Sequence, residues 1–388
     1  MADHTYTAEV VASIADIPAT EWDSLLPGSN GSPANPFVAH AFLAALETSG
    51  SASRRTGWSP HHLVLRHSSG VVAGAMPLYL KSHSQGEYVF DWGWADAFQR
   101  AGGEYYPKLQ CAVPFTPVTG PRLLAADATA RLALLQAAQL LVDRNGISSL
   151  HVTFVDDATA DLAAEAGWLL RTDTQYHWRN QGFSSFEDFL ATMSSRHRKV
   201  TRRERRDALA ADGLTVRWLT GADLTETVWD QFFAFYMDTG SRKWGRPYLN
   251  REFFSLLSET MADRVLVMLA LDGDEPVAGT LSLIGQDRLY GRYWGATREV
   301  PFLHFELCYY QAIDFAIAHK LSVVEAGAQG EHKLARGYGP VTTRSVHWIA
   351  HPGLRQAVAG FLVQERSSVA RDQETLERFT PFRHGERN

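Results

Sequence analysis

The chain has 388 residues, 45% hydrophobic and 21% charged, with a formal net charge of −6. This is an ordinary globular composition, too long for one typical core and without a global basic field for nucleic acid, so two domains are expected. Two distant cysteines, Cys111 and Cys308, argue against a disulfide framework or thiolate metal site, and the chain shows neither a signal-like leader nor an apolar run of about 18 residues, so a cytoplasmic protein with no membrane span is expected.

In chain order, residues 6–14 read as a strand and 18–26 as a short helix opened by Pro18 and Thr20. "GSNGSPANP" (28–36) is a loop, and 37–50 an amphipathic helix ended by Gly50. "HHLVLRHSSGVVAGAMPLYLKS" reads as two strands about a Ser68-Ser69-Gly70 turn, and "EYVFDWGWADAF" continues the sheet as an aromatic strand. A helix over 128–145 stops at Asn145-Gly146. A strand ("SSLHVTFV"), a helix (157–166) and a last strand ("WLLRTDTQYHWRN") complete the first half.

The second half opens with a charged helix over 194–211, capped by Ser194-Ser195, and a strand "LTVRWLT". Helices at about 224–240 and 250–262 follow. Residues 264–297 alternate as three strands with a hairpin turn at Asp272-Gly273. A helix over 304–319 leads to the strand "LSVVEAG". Beyond it, "EAGAQGEHKLARGYGP" (325–340) crowds glycines and charges into a loop.

The two halves repeat one another. "VVAGAMPLYL" (71–80) and "PVAGTLSLIG" (276–285) share Val-Ala-Gly-x-x-x-Leu, each after a short turn. Each is followed by an aromatic segment, "FDWGWADAF" (90–98) or "YGRYWGAT" (290–297), then a helix and a strand. A β-β-β-α-β order occurring twice predicts duplication of one α/β unit, with domains 1–180 and 181–388.

On these residues the chain resembles the GNAT superfamily of N-acyltransferases. With "NPFVAHAFLAALETSG", "PLYLKSHSQGEYVFDW", "YYPKLQCAVPFTPVTGPRLL", "FLHFELCYYQAIDFA" and "GAQGEHKLARGY" it resembles, more narrowly, the bacterial FemAB-like family of peptidoglycan biosynthesis or recognition proteins. The resemblance implies an α/β fold with mixed α+β sheets: two tandem GNAT-like acyl-CoA N-acyltransferase-fold domains. It implies transfer of an acyl or aminoacyl group to an amine of a small molecule or cell-wall precursor. No bound cofactor is implied; the co-substrate is aminoacyl-tRNA or acyl-CoA. The glycine-containing turn by which CoA-binding relatives hold a pyrophosphate is absent from "GATREVPFLHFEL". A non-catalytic module that recognises cell-wall fragments is the rival of another class.

Acyl transfer to an amine needs a base, a stabilised oxyanion and a protonated leaving group. "PFLHFELCYYQ" offers His304, Glu306 and Tyr310. A carboxylate among Phe302, Leu303, Phe305 and Leu307 would be desolvated, which suits Glu306 to the base role. The loop after the last strand offers Glu325, Glu331, His332, Lys333 and Arg336 at a sheet edge where α/β ligands often sit. The resemblance gives Lys333 the oxyanion or phosphate role; Arg336 would fork onto a carboxylate or phosphate, and Glu331 and His332 would orient or act as base. In the first half, Asp91, Tyr106 and Lys108 are candidates for binding the acceptor. Arg198, Arg202, Arg205 and Arg206 fall toward one side of the 194–211 helix and could grip tRNA phosphates. No metal site is expected: His304, Glu306 and Cys308 do not converge on a helix.

Overall fold

A computed structural model describes residues 6–29, 32–210, 213–244, 247–327 and 330–383. The first half carries β1 (Tyr6–Val11), α1 (His40–Thr48), β2 (Trp58–Pro60), β3 (His62–His67), β4 (Val72–Met76), β5 (Leu78–Lys81), α2 (Trp92–Arg100), β6 (Lys108–Cys111), β7 (Leu124–Ala125), α3 (Ala128–Asn145), β8 (Ser149–Val155), α4 (Asp157–Glu165) and β9 (Leu169–Arg179). The second carries α5 (Phe186–Thr192), α6 (Ser195–Ala210), β10 (Thr215–Leu219), α7 (Glu226–Trp244), α8 (Arg251–Met261), β11 (Val265–Asp272), β12 (Glu275–Ile284), β13 (Arg288–Ala296), α9 (Gln311–Ala318), β14 (Val323–Glu325), β15 (Gly339–Ile349) and α10 (Pro352–Arg378). Helix ends follow their capping chemistry. Asp127 accepts from the Ala130 amide to start α3, which ends on left-handed Gly146. Asp156 starts α4 in the same way through Thr159.

The chain forms two compact units, one of residues 1–173 and 342–371, the other of 174–341 and 372–388. A single cut at 180/181 therefore does not describe them: residues 342–371 return to the first unit. The reason is sheet completion. In the first unit β15 pairs antiparallel with β8, Ser149 opposite Ile349 and His151 opposite His347. In the second, the end of β9 pairs antiparallel with β14, His177 opposite Glu325. Each unit thus takes one strand from the other half of the sequence.

Within the first unit, β1, β3, β4 and β7 form one antiparallel sheet, and β2, β5, β6, β8 and β15 lie side by side in another. β6 and β8 run parallel, joined through α3. Leu109, Leu134, Leu135, Leu150 and Val152 lie in its apolar core. In the second unit the order is β10, β11, β12, β13, β14, β9, with only β13 and β14 parallel, joined through the helix that ends as α9. Trp178, Phe189, Leu266, Leu289 and Ile313 lie in its core.

The repeated Val-Ala-Gly sits at matching places, in the second strand of the β3–β4 and β11–β12 hairpins. A methyl on Gly279 would come 2.9 Å from Leu269 Cδ2 and 3.3 Å from Phe232 of α7, so the glycine lets that helix close on the sheet. One sequence expectation fails. "FDWGWADAF" is no strand: Trp92–Arg100 is α2, with Trp94 and Ala95 buried and Trp92 exposed. Its Ala, Gln and Arg content favours helix, and the alternating tryptophans imitate a strand pattern. The strand of the first unit that enters a parallel pair, as β13 does in the second, is β6.

Candidate active site

In the second unit the parallel pairing of β13 and β14 is short. It runs from Arg288 opposite Val323 to Tyr290 opposite Glu325. β14 stops there while β13 continues to Ala296. Beyond Tyr290 that edge of β13 has no strand partner among the described residues. A bulge makes Arg292 the extra residue of β13 against β12, just where the strands part.

The segment after β14 folds inward. Gly327, Gly330 and Gly337 take positive φ values of 81°, 117° and 89°, which glycine adopts without penalty. Between the last two lies a short 3-10 helix, Glu331–Arg336, closed by the Gly337 amide on the Leu334 and Lys333 carbonyls. This turns Lys333 and Leu334 into the protein. Lys333 is 2% exposed, and its ammonium donates to the Gly327 carbonyl at 3.0 Å. Among the described residues no carboxylate pairs with it. Burial pulls its pKa down to about 8, with Cys308 opposing weakly.

Facing this turn is the start of the helix before α9. Phe302 takes a left-handed conformation, Leu303–Phe305 form one helical turn, and Glu306–Tyr310 form a π-turn, a distortion frequent at functional sites. It brings the Tyr309 hydroxyl to 2.9 Å from His332 Nε2. His304 packs against Trp294, Tyr309 and His332, with ring centroids 5.3, 5.5 and 6.5 Å away. Burial, then the charges of Arg336 and Lys333, lower the pKa of His332, so it is neutral at neutral pH. The structure therefore gathers His304, Tyr309, His332 and Lys333.

Other candidates are committed elsewhere. Glu306 is fully buried. Arg205 donates to its two oxygens at 3.1 and 2.9 Å, and Gln311 adds a third bond at 2.7 Å. Asp314 also accepts from Arg205, at 2.6 Å. Glu306 thus anchors Arg205, and both of its oxygens already accept hydrogen bonds. Arg336 does fork onto a carboxylate, but an internal one: it meets both Glu204 oxygens at 2.9 Å and stacks 3.4 Å from the Phe305 ring centroid. Tyr310, fully buried, donates to the same Glu204. The side chain of Glu331 lies outside the described residues.

The four arginines of α6 expected to face phosphate each have a partner. Arg198 donates to the Met193 carbonyl at 2.7 Å, Arg202 pairs with Glu187 at 2.5 Å, and Arg206 with Asp207 at 2.8 Å. With Arg205 turned inward, the expected phosphate grip is not an array of free cations. Helical periodicity could not reveal this, because, apart from Asp207 on α6 itself, the acids come from other elements: Glu187 from α5, Glu306 from the π-turn and Asp314 from α9.

A model of the FemAB-like family, described as peptidoglycan biosynthesis/recognition, matches residues 13–384. The chain belongs to the FemAB-like family. Solved structures add the fold. FemX is similar at a TM-score of 0.52 and 13% identity, over 88% of this chain and 98% of that one. L-PGS from Bacillus licheniformis is similar at 0.50 and 9%, over 82% and 95%. A conserved protein of unknown function from Bacteroides thetaiotaomicron VPI-5482 is similar at 0.54 and 12%, over 89% and 100%. No curated protein matches the sequence. The fold of this FemAB-like chain is of the expected α/β class and is similar to that of FemX. Among the described residues no helix is long and apolar enough to cross a membrane, and no group of His, Cys, Asp or Glu is placed to hold a metal ion.

The first-unit candidates form a different kind of cluster in this FemAB-like chain. Lys108 is fully buried and donates to Ser84, Glu87 and Asp91 at 2.8, 2.7 and 2.5 Å. Asp91 also accepts from Tyr105 at 2.7 Å. Burial opposes the charge on Lys108, but Glu87 and Asp91 outweigh it and raise its pKa. Lys81, opposite Lys108 in the sheet, lies 3.7 Å over the Trp58 ring, and burial pulls it down to about 7. Tyr106 is half-buried, its hydroxyl 2.8 Å from Ser84. Asp91 and Lys108 pair inside this network through Oδ2, while Asp91 Oδ1 and Glu87 Oε1 accept no hydrogen bond.

Sequence reasoning missed His177 altogether and left Glu325 as one loop charge among several. They face each other across β9 and β14, with His177 Nε2 3.9 Å from Glu325 Oε2. A signal existed: "YHWRN" (176–180) and "VHWIA" (346–350) place His-Trp at the end of each exchanged strand. His347 and Trp348 face His151 and Leu150 just as His177 and Trp178 face Glu325 and Val324.

Proposed function

We propose that this FemAB-like protein is an acyltransferase that moves an acyl or aminoacyl group from an activated ester onto a primary amine of a small molecule or cell-wall precursor. The observation that carries the reading is Lys333: a buried ammonium, beside the parting of two parallel strands, with one carbonyl as its only acceptor among the described residues. A lone cation in a low-dielectric site is a strong donor to an oxyanion. With a pKa near 8 it also has a proton to give a leaving oxygen.

In this reading the neutral amine attacks the acyl carbon. The C–N bond forms, and the carbonyl electrons move onto the oxygen held by Lys333. As the tetrahedral centre collapses, the C–O bond breaks and the leaving oxygen takes the Lys333 proton. The nitrogen sheds its proton to His332, which is neutral and ready to accept it. The donor favoured is an ester such as aminoacyl-tRNA, which would place the activity in the cytoplasm. The turn from β13 to the helix, Thr297 to Phe302, contains no glycine to bring backbone amides around a pyrophosphate, so acyl-CoA is the alternative donor.

The test incubates the full chain with amine acceptors and either labelled aminoacyl-tRNA or labelled acyl-CoA. Transfer from the ester should fall roughly 10²–10³-fold in Lys333→Met. Full activity in that variant would remove Lys333 from the mechanism. Transfer from acyl-CoA alone would overturn the ester donor, and binding of cell-wall fragments with no transfer from either donor would favour a recognition protein.

A further inference from the structure

Glu325 ends β14 at the last paired position before β13 and β14 separate. It is 3% exposed. Its Oε1 accepts from Arg288 at 2.9 Å, while its Oε2 accepts no hydrogen bond although it is buried. Buried carboxylate oxygens normally have donors, because an unmet one keeps its full desolvation cost. Arg288 does not neutralise Glu325 alone, since it also bonds Asp287 at 3.1 Å.

His177 would be the natural partner, but it cannot supply a charge. Its Nε2 stays 3.9 Å from Oε2 and lies 3.4 Å from Gln175 Oε1 instead. Burial, then the cations Arg288, Arg179 and Lys333, hold its pKa down to about 3. The carboxylate is left with one unfilled oxygen beside a neutral histidine. Lys333 is close enough to act on that histidine and bonds Gly327, two residues past Glu325.

We propose that Glu325 binds the ammonium group of the amine acceptor through Oε2 and takes its proton. This rests on the acyltransferase reading above. A primary ammonium offers three donors and a full positive charge, which is what a half-satisfied buried carboxylate lacks. On binding, one N–H bond breaks and an O–H bond forms at Oε2. The freed lone pair then attacks the ester, and Glu325 later returns its proton to water.

The charged groups around Glu325 suit it to that exchange. Burial raises its pKa to about 7 against the pull of Arg288 and Arg292, with Asp287 assisting. A carboxyl held there lies nearer to an amine in basicity than an ordinary carboxylate does, so it is a better base.

The experiment pairs binding with turnover on the full chain. Binding of propylamine and of 1-propanol is measured by calorimetry or NMR, for wild type and for Glu325→Gln, whose remaining carbonyl oxygen can still accept from Arg288. Propylamine affinity should drop at least about tenfold in Glu325→Gln, with propanol unchanged. In the transfer assay the variant should show a raised KM for the amine and lose the limb of kcat/KM that rises through about pH 7. Equal propylamine binding in both proteins, or an unchanged pH profile, would overturn the assignment. Should wild type transfer nothing from either donor while propylamine binding still depends on Glu325, the acyltransferase reading fails and the ammonium site stands. Should Glu325→Gln not fold, Glu325→Asp should bind propylamine more weakly, and undiminished binding by it would also overturn the assignment.

Discussion

Both units bury a lysine beside a parallel strand pair, and they treat it in opposite ways. Lys108 donates to three side chains, two of them carboxylates, and its pKa rises. Lys333 donates to one carbonyl, and its pKa falls to about 8. The matching cross-strand pairs differ as well. His347 meets His151, whose Nδ1 is 2.7 Å from His347 Nδ1 and whose Nε2 lies 2.9 Å from Ser149 Oγ. His177 meets Glu325, whose Oε2 accepts nothing. Unmet buried atoms occur in both units, at Glu87 Oε1, Asp91 Oδ1 and His347 Nε2 as well as at Glu325 Oε2, so the contrast rests on the lysines: Lys108 is held between two carboxylates, and Lys333 by none among the described residues. Under-satisfied groups are the ones available to a substrate.

The largest expected effect breaks this comparison on the first-unit side. Lys108→Met removes the cation between Glu87 and Asp91, leaving the buried Asp91 without its ion-pair partner and Glu87 with only Lys81, 3.7 Å away. A loss of about 3–5 kcal/mol is expected for breaking such a pair from one side, read as a lowered denaturant midpoint. In Lys333→Met, by contrast, the midpoint should be unchanged or higher, because no carboxylate is orphaned, while transfer collapses. If both variants lose stability alike, the two lysines are both structural and the contrast is void.

A pH series sharpens the same contrast. The folded pKa of Lys333 lies below its unfolded value of 10.5. Between pH 8 and 10.5 the unfolded chain binds more protons there, so this group's contribution to stability rises with pH across that window. Lys108 has the opposite sign: its raised pKa gives stability that is complete below 10.5 and lost as pH climbs through the folded value. Transfer that depends on the Lys333 ammonium should decline above about pH 8. Thermal melts of Lys333→Met should show less gain between pH 8 and 10.5 than wild type.

Within the second unit, Glu306→Gln tests whether that carboxylate is an anchor or a base. As an anchor for Arg205 and Gln311 it should cost about 1–3 kcal/mol of stability, with the pH profile of the residual transfer unmoved. A lost pH limb would restore Glu306 to the chemistry.

The elements were largely legible because their signals are local. Asp127 and Gly146 bracket α3, and the Val-Ala-Gly hairpins announce the duplication. The exchange of strands was not, since nothing local to β15, an 11-residue strand with Thr343, Arg344 and Ser345 at its middle, tells that β8 pairs with it. The site was legible where a residue's own chain segment positions it, as with Lys333 and His332 between Gly330 and Gly337. It was illegible where a distant partner decides the role. Glu306 reads as a desolvated base until Arg205 arrives from α6, 101 residues away. Glu325 reads as a loop charge until His177 arrives from β9. The aromatic segment 90–98 misled because alternation in a sequence does not show which tryptophan is buried.

The smallest expected effect concerns α6. Its run of arginines suggests a nucleic-acid grip, yet its members differ. Arg205 is turned inward, bonded to Glu306 and Asp314 and stacked 4.2 Å over the Phe186 ring centroid. Arg206 is exposed and pairs only with its neighbour Asp207, a contact that water and salt largely screen. Arg206→Ala should therefore shift stability by less than about 0.5 kcal/mol. It also removes one unit of positive charge from the helix, so a salt titration of tRNA binding gives it a second reading. Were α6 a phosphate grip, the variant would flatten the dependence of log affinity on log salt by about one unit. An unaltered slope would remove Arg206 from any phosphate grip and leave Arg205, bonded to Glu306, as the arginine that holds α6 against the π-turn.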